Sequence, residues 1–158
     1  MVRKDGTASA VDLESLPGYH VRRLQQIAVA VFLQETDALG VTPVQYGALQ
    51  AVANGPGIDQ RTLARTIGLD TSTIAGVIDR LQARGLMQRS ASPADRRVRR
   101  LSLTPEGHAL LQASQPRVLS AQQRLLEPLS PAERHEFMRM LRVLVTANND
   151  LSRAPSEA

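Results

Sequence analysis

The chain has 158 residues and is 42% hydrophobic but only 3% aromatic, with neither Cys nor Trp and a formal net charge of +4. That length supports one compact protomer with a real core, and few aromatics among many Leu, Ala and Val favour helices over a β-sandwich. Without Cys there is no disulfide framework, thiolate metal site or cysteine nucleophile, and the scattered His20, His108 and His135 make no metal cluster. The opening MVRKDGTASAVDLESL lacks the apolar stretch of a secretory signal, and the longest apolar run, residues 27–33, is far below the roughly 20 residues of a membrane span. A soluble, cytoplasmic protein with no membrane partner is expected.

In chain order, residues 1–15 are polar and mixed in charge and read as a flexible arm. Leu16-Pro17-Gly18-Tyr19 reads as a turn into a helix over about His20–Leu39. Its stripe is Val21, Leu24, Ile27, Ala28, Val31 and Phe32, and residues 27–33 are apolar nearly all round. One small protomer cannot cover such a helix, so a second chain is implied. Thr42-Pro43-Val44-Gln45 has the parts of a capped helix start, and the helix Pro43–Ala53 presents Val44, Leu49 and Val52.

Two short helices follow. Gln60–Ile67 carries Leu63, Ala64 and Ile67, and Gly68 stops it. Asp70 caps the next helix, which buries Ile74, Val77, Ile78 and Leu81 and ends at Gly85. Its other face shows Thr71, Ser72, Gly76 and Arg80. Leu86–Ala91 and Arg97–Leu103 have strand character around the turn-rich Ser92-Pro93-Ala94-Asp95-Arg96. Residues 58–104 hold nine Arg against four Asp, so the positive charge is confined to this segment and the rest of the chain sums to −1. A concentrated guanidinium field on a hairpin is an electrostatic footprint for phosphate.

Thr104-Pro105 opens a helix, Glu106–Leu126, with Leu111, Val118 and Leu125 at seven-residue spacing and Pro116 inside, expected to kink or split it. Ser130-Pro131-Ala132-Glu133 is a capping box for a last helix with Phe137, Met140, Leu141, Leu144 and Val145 on one stripe. The residues after Leu151 read as a flexible tail.

The helix pair, the run LDTSTIAGVIDRLQARGL, and the hairpin SPADRRVRRLSLTPEG with its Asp95-x-Arg97 and Leu-x-Leu-Thr-x-x-Gly resemble the winged helix–turn–helix of MarR-type bacterial transcription regulators over roughly residues 16–150. The resemblance implies a mainly α fold with a small β-wing. Residues 42–104 would form the winged helix–turn–helix lobe, and residues 16–41 and 105–151 a helical dimerisation platform. Residues 1–15 and 152–158 would be flexible.

The expected partners are double-stranded DNA and a second copy of the chain, whose recognition helices would stand about 34–36 Å apart. The candidate DNA-contacting residues are Arg61, Thr71, Ser72, Thr73, Gly76, Arg80, Arg89, Asp95, Arg96, Arg97 and Arg99. Arg80 suits a guanine edge, and its bland alternative is an ion pair with Asp79 or another acid. The resemblance implies that Arg97 enters the minor groove while Asp95 orients it. Arg65, beside Arg61, and Arg100 on the hairpin join this basic set. Family members that bind aromatic acids suggest an effector site built from Tyr19, His20, Arg23, Gln26 and Tyr46, with the arginine taking a carboxylate; the alternative is that Arg22 and Arg23 pair with acids of the partner chain and Tyr19 merely packs. The expected function is a homodimeric, sequence-specific regulator, a repressor released by a small aromatic acid. The alternative is a winged-helix module for non-specific nucleic-acid binding or protein contact. No cofactor, metal or catalytic residue set is indicated.

Overall fold

The computed structural model describes residues 10–155. Helix α1 spans Pro17–Thr36. It begins earlier than the sequence suggests, because Pro17, with its fixed φ and missing N–H, suits the first helical position, so residues 17–19 are helical and not a turn before the helix. Its last residue, Thr36, is buried and donates its hydroxyl to the carbonyls of Phe32 (2.9 Å) and Val41 (3.2 Å). The chain then tightens into a 3-10 turn over Asp37–Leu39, where a longer helix was expected. Ahead of α1, Leu13–Ser15 form another 3-10 turn capped by Asp12, so the end of the segment expected as an arm has local structure. Residues 1–9 and 156–158, the rest of the arm and the end of the tail, lie outside the described residues.

Helix α2 is Pro43–Asn54, and its capping box is complete between Thr42 and Gln45. It buries Ala48, Leu49 and Val52. Val44, expected inward, is exposed because it lies about 85° round the helix from the centre of that stripe. Helix α3 (Gln60–Ile67) and helix α4 (Thr71–Ala83) follow. Between them Gly68 takes the left-handed conformation (φ 73°), and its N–H and that of Leu69 close onto the carbonyls of Ala64 and Arg65. The Gln60 side-chain amide donates to the Thr71 carbonyl (3.3 Å), tying the starts of the two helices together.

Strands β1 (Met87–Ala91) and β2 (Arg99–Leu103) pair antiparallel, with Met87 opposite Leu103 and Arg89 opposite Leu101. The second strand starts later than expected because Val98 belongs to the tip. Its N–H donates to the Asp95 carbonyl (3.0 Å), and its carbonyl accepts from Ser92 N–H (2.9 Å). At the base, Gly57 and Ile58 bond to Leu101 (2.8 and 2.9 Å), anchoring the hairpin beside α3.

Helix α5 runs Pro105–Leu126 and is not split at Pro116. The proline faces solvent, while Leu111, Ser114, Val118 and Ala121 hold the opposite face in the interior. Helix α6 (Pro131–Ala147) starts at the Ser130–Glu133 capping box, and Arg134 donates Nε to the carbonyls of Leu126 and Leu129 at the end of α5. α1 packs along α5, clamped by Glu35–Arg124 at 2.7 Å. The densest core, Leu49, Leu63, Ile74, Ile78, Leu81, Met87 and Leu101, lies between α2, α3, α4 and the wing. α6 buries no residue: Met140, Leu144 and Val145 of its apolar stripe are exposed, as are Val21 and Ile27 of α1. Among the described residues no single helix is long and apolar enough to cross a membrane.

Candidate functional site

The positively charged lobe is built around α4. Burial of Ile74, Val77, Ile78 and Leu81 fixes its rotation, so Thr71, Ser72, Thr73 and Arg80 face solvent and Gly76 is partly covered beside them. Asp70 caps the helix and also organises its polar face. Its carboxylate accepts from Thr73 N–H (2.7 Å), the Thr73 hydroxyl (2.7 Å) and the Ser72 hydroxyl (2.8 Å). Those bonds, the Thr73 hydroxyl's foremost, hold the Asp70 carboxyl well below its ordinary range. With their protons turned to Asp70, Ser72 and Thr73 present lone pairs outward, and Thr71 keeps an uncommitted hydroxyl. Arg80 has no ion pair among the described residues, so the alternative of an Arg80–Asp79 pair does not arise. Asp79 is bonded instead to Arg89.

In the wing, Asp95 does not hold the Arg97 guanidinium. Its carboxylate accepts from Arg97 backbone N–H at 2.9 Å, shaping the tip from which that side chain projects. Arg96, Arg97, Arg99 and Arg100 are exposed and make no ion pair among the described residues. Arg89 differs from them. Its side chain is 25% exposed, and its Nη1 donates to Asp79 Oδ1 at 2.6 Å and Gln82 Oε1 at 3.1 Å. Arg89, expected among the phosphate contacts or steering charges, thus has its side chain engaged within the lobe. Arg84, from the same basic run, is exposed but also engaged within the chain, donating to the Gly40 carbonyl (2.8 Å). Arg61 is exposed on α3, and Arg65 is partly covered in its last turn.

Away from this lobe, a cavity of about 680 Å³ opens between α1, the end of α5 and α6. His20 and Arg23 line one side, and Val21, Leu24, Ile27, Leu125, Phe137 and Leu141 supply apolar walls. Arg22 and Arg23 both lie over the Tyr19 ring, 5.6 Å from its centroid. Arg23 Nη1 is 4.0 Å from Glu14, and His20 Nε2 is 2.8 Å from the Glu14 carbonyl, so the acid that meets them belongs to the chain's own 3-10 turn.

Of the five predicted effector residues, Tyr19, His20 and Arg23 are brought together. Tyr19 and Gln26 do not line the cavity, where Gln25 stands. Tyr46 stands apart from them: within the protomer it packs against Phe32 (6.1 Å) and donates to Gln50, roughly 20 Å along α1 from Tyr19 at 1.5 Å per residue. Burial also pushes its phenol pKa up. The sequence reading missed Phe137 and Leu141 as cavity walls, and Asp79 and Gln82 as partners of Arg89. The stripe on α6 signalled the first pair. No local pattern signalled the second.

A helix–turn–helix whose second helix shows a polar face beside a cationic β-wing defines the winged-helix DNA-binding class. Residues 39–98 match the family model of the MarR family. The chain is 34% identical to the transcriptional regulator HosA of Escherichia coli O111:H-, over 82% of its own length and 94% of that protein. It also superposes on Bordetella bronchiseptica BpsR, solved for the regulation of DNA binding by 6-hydroxynicotinic acid (TM-score 0.82, 32% identity, 85% and 96% of the two chains). The transcriptional repressor CouR bound to a 23-mer DNA duplex aligns comparably (TM-score 0.80, 31% identity, 87% and 99%). The chain belongs to the MarR family. It is a DNA-binding transcriptional regulator and not an enzyme.

Proposed function

We propose that the chain acts in the cytoplasm as a homodimeric repressor that reads a pseudo-palindromic DNA site and is released by a small aromatic acid. One observation carries the reading. The guanidinium-rich wing and the polar face of α4 sit on one lobe, while the apolar faces that a lone protomer leaves uncovered are on α1 and α6. Joining two protomers through those helices would cover the apolar stripes and leave two lobes free for adjacent major grooves. α4 would lie in the major groove, with Thr71, Ser72, Thr73, Gly76 and Arg80 against base edges and phosphates. Arg97 would enter the flanking minor groove, with Arg61, Arg96 and Arg99 on the backbone.

For the effector, Arg23 and His20 at the mouth of an apolar cavity suit a carboxylate on an aromatic ring. DNA-bound CouR and acid-regulated BpsR support both halves of this reading by similarity. The acid would favour a dimer whose lobes are spaced wrongly for the two grooves, and a coupling of about 1–3 kcal/mol gives a 5–150-fold loss of DNA affinity.

The test is a salt series of binding to a duplex selected from a random pool and to a scrambled duplex, with and without benzoate or 6-hydroxynicotinate. A ratio of ~10³ or more at moderate salt, lowered by the acid, is expected. Equal binding to both duplexes would mark a non-specific binder and overturn the proposal.

A further inference from the structure

We propose that Arg89 is a positioning residue, which sets the angle between the wing and α4 through Asp79 and Gln82 and acts on DNA recognition by that angle, not by touching phosphate. The inference rests on the reading that α4 and the wing engage neighbouring grooves.

Arg89 lies in the middle of β1, opposite Leu101. Its guanidinium reaches back across the Gly85–Leu86 corner to two residues one turn apart on α4, at 2.6 Å from Asp79 and 3.1 Å from Gln82. The corner turns on Gly85 at φ 69°, where no side chain resists rotation, and Thr104 and Gly107 brace it from the α5 side only. A bond between strand and helix beyond that corner closes a loop and removes the freedom. The planar guanidinium suits this task, since the two N–H groups of Nη1 point at fixed angles, one to each acceptor.

The charges argue the same way. Arg96, Arg97, Arg99 and Arg100 keep their full charge facing solvent, whereas Arg89 is neutralised locally and is the least exposed of the wing arginines. An arginine whose charge is cancelled adds little to the attraction for phosphate. It still adds to affinity if the wing must be held within 10–20° of its working direction.

This assigns opposite signs to one substitution. Removing Asp79 deletes a negative charge from the DNA-facing helix, which electrostatics alone says should tighten binding to any duplex. If Asp79 and Arg89 form the clamp, Asp79→Ala instead weakens binding to the selected site. The experiment uses the full chain with the selected and scrambled duplexes. It compares wild type, Asp79→Ala, Arg89→Ala, the double variant and Arg89→Lys, with circular dichroism confirming equal helix content.

The expected result for Asp79→Ala is a loss of ~5-fold or more on the selected duplex, with unchanged or tighter binding to the scrambled one. The double variant should be no worse than the worse single, and Arg89→Lys should recover part of the loss. Tighter binding of Asp79→Ala to both duplexes would overturn the clamp. So would a drop of about 0.9 in the salt slope of Arg89→Ala on both duplexes, which marks a lost phosphate contact. If wild type itself prefers neither duplex, the groove-reading function fails, and the clamp with it. A normal wild-type preference with a tighter-binding Asp79→Ala sinks the clamp alone.

Discussion

A Cβ built on Gly107 would lie 2.0 Å from the Leu86 carbonyl oxygen, so the first turn of α5 rests directly on the backbone where α4 gives way to the wing. Thr104 reinforces the contact. Its hydroxyl donates to the Gly85 carbonyl (2.6 Å) and accepts from Gly107 N–H (3.0 Å), while its own N–H donates to the Leu86 carbonyl (3.2 Å). From this corner α5 runs about 27 Å, at 1.5 Å per residue, to Leu125 at the cavity wall. One rigid element thus touches both the base of the wing and the cavity beside Arg23.

Gly107→Ala should destabilise the protein although glycine-to-alanine changes within helices normally stabilise. The methyl group has nowhere to go against backbone, and the shift it forces costs about 1–3 kcal/mol. Gly18→Ala in the first turn of α1, where nothing lies within 4 Å, should instead gain up to about 1 kcal/mol. Urea midpoints for the two variants should move in opposite directions.

Asp70 makes stability depend on acid. Its carboxyl is shifted down from an ordinary value of 3.8 by the Thr73 hydroxyl and N–H and the Ser72 hydroxyl. A carboxyl lowered on folding stabilises wherever it is ionised in both states, and that contribution fades as pH drops through the unfolded value toward the folded one. The difference in denaturation midpoint between wild type and Asp70→Asn should be constant from pH 7 to about 5 and shrink below about 4. A gap that widens in acid would contradict the assignment.

Arg97→Ala should cost about 1–3 kcal/mol of binding to the selected duplex without changing the sedimentation of the free protein. Gel-shift titration gives the first quantity and analytical ultracentrifugation the second.

Arg23→Ala should leave DNA binding intact and abolish the release caused by benzoate or 6-hydroxynicotinate. Arg23 and His20 are the only basic groups lining the cavity among the described residues. A variant released as readily as wild type would exclude this cavity as the effector site.

Leu144→Glu should separate the proposed dimer without unfolding the protomer. Leu144 is 58% exposed, so the carboxylate disturbs nothing within the chain, but it would be stranded in an apolar interface. Sedimentation equilibrium should report a monomer with unchanged helix content.

Much of this was readable from the chain because the relevant physics is local. Thr42, Asp70, Thr104 and Ser130 each cap a helix within three residues of themselves, and Gly68 ends α3 because its own φ is positive. The concentration of net positive charge in residues 58–104 and the stripe on α6 are likewise properties of short stretches. What needed the tertiary structure was every pairing across a turn or between helices. Arg89 looked like its neighbours until the fold brought Asp79 and Gln82 beneath it. Tyr46 looked like a partner of Tyr19 until α2 crossed α1 at Phe32. The close approach of Gly107 to Leu86 likewise exists only once the fold brings α5 onto the end of α4. Caps and periodicity act within about one helical turn, so sequence alone determines them. Which side chain meets which across ten residues or more depends on how whole elements pack, and only the folded chain decides that.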